Sequence, residues 1–134
     1  MKVTSEWVKN YQSVVDNGRT DSVVMDLPLT KEGDDTGATA LEFSVMALAG
    51  CITTIFAVVA KAMRLDYERL KAVIDANKPD EAPTVTNANI ILTIKTNVSK
   101  DKVEKCFKRT LDMCPVGKLF EQAGVDLTHE IIMK

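Results

Sequence analysis

From Phe43 to Ala60 the chain runs eighteen residues without a single charge. The run predicts one long helix, from about Thr39 to Arg64, apolar all the way round. Its length reaches that of a membrane span. Ser44, Gly50, Cys51, Thr53 and Thr54 interrupt it, alanine is abundant, and neither aromatic belts nor basic clusters flank it, so membrane insertion is not expected. Such a helix must then be buried on every side, which a chain of 134 residues has difficulty providing alone. The expectation is an obligate homodimer in which two long helices pack together and sheets cover them.

The length fits one domain, residues 1–134. A net charge of −2 and a pI near 5.4, with no basic stripe, argue against nucleic acid as a partner. The opening residues Met1-Lys2-Val3-Thr4-Ser5-Glu6-Trp7 show no apolar signal segment. Three cysteines without tight spacing make neither a secreted disulfide framework nor a CxxC metal pair. A cytoplasmic protein is expected.

Around the helix the pattern changes to α+β. Val3 to Val15 holds β-branched and aromatic residues, Asp16-Asn17-Gly18-Arg19 gives a turn, and Ser22 to Leu27 resumes extended character, which reads as an amino-terminal hairpin. A glycine- and acid-rich loop, Lys31 to Gly37, leads into the long helix. Tyr67–Ala76 and Val85–Val98 read as strands. Ser99 is placed to cap a second helix with the stripe Val103, Cys106, Phe107, Thr110 and Leu111. A short helix, Pro115 to Gln122, ends near Gly124, and Val125 to Met133 alternates as a closing strand.

The cysteines occupy contrasting settings. Cys114 precedes Pro115 at a helix start, where free N–H groups and the helix dipole favour thiolate, so it is a candidate redox residue. Cys51 lies inside the apolar helix and becomes reactive only if a cation and a second sulfur reach it. Cys106 belongs to an apolar stripe and reads as core. His129, the only histidine, alternates with Val125, Leu127, Ile131 and Met133 and reads as structural. Trp7, Tyr11, Phe43, Phe56, Phe107 and Phe120 read first as core or pocket lining.

Gly18-Arg19 in the first hairpin, the helix Leu41-Glu42-Phe43-Ser44-Val45-Met46-Ala47-Leu48-Ala49-Gly50-Cys51, and Cys114-Pro115-Val116 together resemble the OsmC/Ohr proteins, over nearly the whole chain. The resemblance implies an intertwined α+β homodimer, with antiparallel sheets wrapped around two long central apolar helices and active sites at the dimer interface. It implies a thiol-dependent peroxidase acting on organic, alkyl or lipid, hydroperoxides. Cys51 would attack the peroxide as thiolate and become a sulfenic acid, Cys114 would resolve it as a disulfide, and Arg19 and Glu42 would support Cys51. An external dithiol would reopen the disulfide, with no metal, haem or flavin cofactor.

Physical arguments bear on these roles. Burial opposes a Cys51 thiolate unless a guanidinium, with Arg19 the candidate, pairs with it; the alternative for Arg19 is a solvated turn residue. An apolar pocket would favour alkyl peroxides by roughly 0.8 kcal/mol per buried methylene. On one ideal helix Glu42 and Cys51 fall on opposite sides, roughly 13 Å apart along the axis. Glu42 therefore serves the partner chain's site or only the positive end of its helix. The hydroperoxide-reductase branch has its glutamate where this chain has Leu41, and an aromatic residue where it has Ile52, which points to a more general OsmC-like branch. The competing reading is a non-catalytic redox-sensing or small-ligand-binding dimer.

Overall fold

The computed structural model describes residues 1–134. Its strands and helices follow the order β1 (Thr4–Lys9), β2 (Gln12–Asp16), β3 (Val23–Met25), α1 (Ala40–Ala62), β4 (Arg69–Asn77), β5 (Asn87–Lys95), α2 (Lys100–Met113), α3 (Pro115–Gln122) and β6 (Asp126–Met133). They form two compact units, Met1–Ser44 and Val45–Lys134. Each contains a three-stranded sheet, and the fold class is α+β as the sequence predicts.

In the first unit β1, β2 and β3 pair antiparallel in sequence order. The segment Val3–Val15 is not one strand. It turns at Asn10, whose backbone is left-handed at φ 45°, a conformation Asn tolerates because its short polar side chain bonds locally. The Trp7 indole N–H donates to the Asn10 carbonyl at 2.8 Å, pinning that turn. Trp7 is 73% exposed and Tyr11 50% exposed, so neither is core material within this chain. The second turn lies where the sequence places it. Gly18 sits at φ 72°, and Asn17 Oδ1 accepts the backbone N–H groups of Arg19 and Thr20, each at 2.9 Å.

The loop before α1 is organised by Asp26, a carboxylate only 3% exposed. It accepts the Thr36 hydroxyl at 2.7 Å, the Leu27 N–H at 2.8 Å and the Thr36 N–H at 3.1 Å. The hydroxyl bond foremost, with the N–H groups, holds its pKa below the ordinary carboxylate value despite burial. Gly33 is required here by close approach, since a Cβ would lie 1.9 Å from the Leu27 carbonyl oxygen.

In the second unit β4 and β5 pair antiparallel, from Arg69 opposite Lys95 to Asn77 opposite Asn87. β6 runs parallel to β5, from Asn87 beside Asp126 to Ile94 beside Met133. The expectation of antiparallel sheets therefore holds for the first sheet and fails for the second, which is mixed. A parallel neighbour needs a long crossover, and α2 with α3 supplies it between β5 and β6. As the central strand, β5 turns Ala88, Ile90, Leu92 and Ile94 into the core at 1% exposure or less.

α1 contributes Leu48, Ile52, Phe56, Val59 and Ala60 to that core, and α2 contributes Val103, Cys106, Phe107 and Thr110. The long helix is not covered all round. Its burial follows one stripe at helical spacing, while Met46 and Val58 are each 53% exposed and Gly50, Thr54 and Ala57 are open. By length and composition α1 could cross a membrane: its most apolar stretch has a mean hydropathy of 2.2, with 28% of it buried.

Both main helix ends of this unit close in the same way. Arg64, left-handed at φ 49°, follows α1, with Leu65 N–H donating to Ala60 O at 2.9 Å and Arg64 N–H to Lys61 O at 3.2 Å. After α3 the equivalent position is Gly124 at φ 79°, with Val125 N–H donating to Phe120 O and Gly124 N–H to Glu121 O, each at 3.0 Å. Ser99 occupies the cap of α2 as expected, though its hydroxyl makes no capping bond.

Candidate redox site

Pro115 has no N–H to continue α2 and disfavours helical backbone at the residue before it. Cys114 is accordingly extended, at φ −73° and ψ 108°, and serves as last cap of α2 and first cap of α3. Its own N–H still donates to Thr110 O at 2.9 Å. Its sulfur accepts the N–H of Gly117 at 3.2 Å, the bond a capping side chain makes to the third residue of a helix. Gly117 is buried, and a Cβ there would meet Cys114 Sγ at 3.4 Å and Leu48 Cδ1 at 3.9 Å. These are ordinary contact distances, and they show the start of α3 packed beside Leu48 of α1.

That packing brings together two thiols 63 residues apart: Cys114 Sγ donates to Cys51 Sγ at 2.7 Å. Both are free thiols, Cys114 fully buried and Cys51 partly exposed. A disulfide needs α-carbons about 4.4 to 6.8 Å apart and a sulfur separation near 2.05 Å, and sulfurs already in contact require only a small closing movement.

Cys114 holds its proton tightly. Burial, reinforced by the hydrogen bond to Cys51, pushes its pKa up to about 11, against the opposing pull of the Gly117 and Val116 N–H groups. The expectation that the helix start would favour a Cys114 thiolate is thus reversed. A helix terminus contributes about 0.3–1 kcal/mol to a nearby charge, which full desolvation outweighs. Cys114 is a thiol donor, and the sulfur it donates to is Cys51.

Arg19 and Glu42 lie in the first unit. Arg19 is exposed in the turn after Gly18 and is held through its backbone N–H. Glu42 has a local task that the sequence reading overlooked. Its carboxylate accepts the Thr39 N–H at 2.7 Å while the Thr39 hydroxyl accepts the Glu42 N–H at 3.2 Å, a reciprocal capping box that starts α1. The backbone bond from Thr39, then its hydroxyl, lowers the Glu42 pKa. The signal was present as Thr39-x-x-Glu42 immediately before the apolar run. Gly117 was missed as well; only its place three residues after Cys114, the capping distance, could have marked it.

The other candidates have structural surroundings. Cys106 is fully buried, and burial raises its pKa. His129 is exposed, and it packs its ring edge-on to the buried Phe107, with centroids 5.1 Å apart, in the β6 register beside Ile90. No group of three or more His, Cys, Asp or Glu side chains is placed to hold a metal ion.

An α+β chain with a cysteine from a long apolar helix set against a Cys-Pro cysteine is a two-thiol protein. The OsmC-like protein family model matches residues 33–130, and the chain belongs to that family. Its structure is similar to an OsmC-like protein from Mycoplasma pneumoniae, at TM-score 0.87 and 12% identity, covering 98% of this chain and 95% of that one. An OsmC-like protein of unknown function from Vibrio cholerae aligns at TM-score 0.81 and 13% identity, covering 98% and 97%. An organic hydroperoxide resistance protein, OsmC, from Legionella pneumophila aligns at TM-score 0.70 and 12% identity, covering 98% and 95%. No curated protein sequence matches the chain.

Proposed function

We propose that this protein is a thiol-dependent peroxidase that reduces organic hydroperoxides to alcohols, working as a cytoplasmic homodimer outside the membrane and forming one functional domain over residues 1–134. The observation that carries the reading is the Cys114–Cys51 contact of 2.7 Å between a buried and a partly exposed thiol. The Cys51 thiolate, accepting the Cys114 S–H, attacks the terminal peroxide oxygen. The O–O bond breaks, the alkoxide leaves as alcohol after taking a proton, and Cys51 becomes a sulfenic acid. Cys114 then attacks the Cys51 sulfur, releasing water and forming the disulfide. An external dithiol reduces that bond in turn, and no cofactor enters the cycle.

Family membership and a neighbour named as an organic hydroperoxide resistance protein support this reading. The apolar residues beside Cys51 on α1, with Leu48, Ile52 and Ile55, support alkyl over hydrogen peroxide. The uncovered small face of α1, with Gly50, Thr54 and Ala57, supports helix packing against a second copy. In this reading Arg19 supplies the positive charge that holds the Cys51 thiolate, and Glu42 acts at the partner's site beyond its capping role.

The test is single-turnover oxidation of the reduced protein by cumene hydroperoxide and, separately, hydrogen peroxide, with peptide mapping. Rapid, alkyl-selective formation of a Cys51–Cys114 disulfide is expected. Absence of reaction over minutes would overturn the peroxidase reading. Cys51→Ser should abolish turnover, whereas Cys114→Ser should consume one equivalent and stop at sulfenic acid.

A further inference from the structure

The outer face of the second sheet gathers its cations at one end. Arg69 stands opposite Lys95 in the β4–β5 register. Lys134 flanks Lys95 on the other side, its N–H donating to Ile94 O at 2.9 Å while its carbonyl accepts the Thr96 N–H at 3.3 Å. Three cations thus share one cross-strand row, and Lys71, two residues along β4 on the same face and opposite Thr93, adds a fourth. All four are exposed, whereas the alternate residues Leu70 and Ile94 turn to the core that α1 shares. The row therefore lies on the side of the sheet away from α1, and packing of α1 against a second copy leaves it open. Like charges directly opposite on neighbouring strands destabilise a sheet. Glu68, bonded to Lys95, is the one carboxylate in the lining of a depression of about 590 Å³ that includes Arg69, Lys71, Thr93, Lys95 and Lys134. Arg69, Lys71 and Lys134 form no ion pair. In a chain of net charge −2 this concentration is local, and it works against the fold.

We propose that this row is a binding site for a small polyanion with two or three linked phosphate groups, held by Arg69, Lys71, Lys95 and Lys134 with the Thr93 hydroxyl as a further donor. Neighbouring strands lie about 4.8 Å apart, so the row spans about 10 Å, the reach of a short phosphate chain. The Arg69 guanidinium presents paired N–H groups suited to two phosphate oxygens, and the lysines supply point charge. Lys95 divides its charge between Glu68 and the ligand, and the other three cations meet the ligand alone. A longer or flatter anion fits less well. The outer face has Val73, Ile91 and Ile132 at its middle and no aromatic side chain on which bases could stack. Its far end turns acidic at Asp75 and Asp126, with Glu130 between, which repels an extended nucleic-acid backbone or an anionic membrane. The site lies across the sheet from the core that holds Cys114, so it stands or falls separately from the peroxidase reading.

The experiment titrates the reduced protein with inorganic tripolyphosphate in about 0.15 M salt, where loose surface attraction is screened, and follows amide shifts by NMR and heat by calorimetry. Saturable one-to-one binding is expected, with shifts confined to residues 69–73, 93–96 and 134 and with orthophosphate at least tenfold weaker. No saturable binding, or shifts centred elsewhere, would overturn the proposal. ATP should shift the same residues; a response to ATP with none to tripolyphosphate would overturn recognition of the phosphate chain. Arg69→Gln combined with Lys71→Gln should weaken binding at least tenfold. The equal loss of charge in Lys100→Gln combined with Lys108→Gln, on α2, should change it less than twofold. Equal weakening in the two variants would reduce the effect to net charge and overturn the site. Because Arg69 faces Lys95, Arg69→Gln should leave the melting temperature unchanged or raised. A lowered melting temperature would make the row structural and overturn its reading as a ligand site.

Discussion

Cys114 donates its thiol hydrogen to Cys51 Sγ at 2.7 Å while accepting the Gly117 N–H at 3.2 Å, so one buried sulfur is held from both sides. The arrangement separates two properties that a lone cysteine cannot combine. The partly exposed member can meet a small molecule, and the buried one keeps its proton.

The first prediction concerns that proton. Because the bond to Cys51 adds to burial in raising the Cys114 pKa to about 11, Cys51→Ala should lower the pKa of Cys114 alkylation while leaving it above 9.0, since burial remains. The pH profile of iodoacetamide labelling, read by mass spectrometry on the peptide containing Cys114, measures this. A profile identical to wild type would mean that the two sulfurs are uncoupled.

The same shift governs alkaline stability. A thiol with a folded pKa raised to about 11 from 9.0 binds more protons folded than unfolded between those values, so stability falls as pH rises through that window and is unaffected by Cys114 below it. Chemical denaturation of the reduced protein at pH 8, 9 and 10 should show a decline that Cys114→Ala lessens. A parallel decline in the two proteins would assign the loss elsewhere.

Asp26 sets the acid side. Its pKa is lowered chiefly by the Thr36 hydroxyl, so the stability it lends is present above the ordinary carboxylate value of 3.8 and is lost as pH falls below it. Thr36→Val removes that hydroxyl and should raise the Asp26 pKa, moving the onset of acid unfolding to higher pH. Carboxylate titration by NMR reads the shift directly.

Glu42 offers a separation of roles. Glu42→Gln preserves a capping box and should leave thermal stability close to wild type, whereas Glu42→Ala should cost about 1 kcal/mol. If Glu42 also assists Cys51 chemistry, Glu42→Gln loses hydroperoxide turnover with stability intact. Unchanged turnover in Glu42→Gln would confine Glu42 to the helix start.

The uncovered face of α1 gives a prediction about assembly. Gly50→Leu places a large side chain where the chain itself has free space, so the isolated fold accommodates it. In a dimer packed on Gly50, Thr54 and Ala57, it should shift the protein toward monomer by light scattering. A wild-type protein that is already monomeric at low micromolar concentration would refute the homodimer.

Much of this protein was legible in its residues. The apolar run fixed α1, alternation marked β5 with Ile90, Leu92 and Ile94 facing inward, Pro115 divided α2 from α3, and the cysteine settings marked out Cys51 and Cys114, because each is a local pattern with a local physical cause. The first turn at Asn10 escaped because a left-handed non-glycine residue leaves only a weak mark. The parallel placement of β6 escaped because alternation tells a strand's face and not its direction. Tertiary structure alone decided the chemistry of the pair. Charge at Cys114 depends on a competition between local N–H groups, visible in sequence, and desolvation by Leu48, α1 and Cys51, which arrive from 63 and more residues away. Burial is a property of the packed chain, and here it outweighs the helix start.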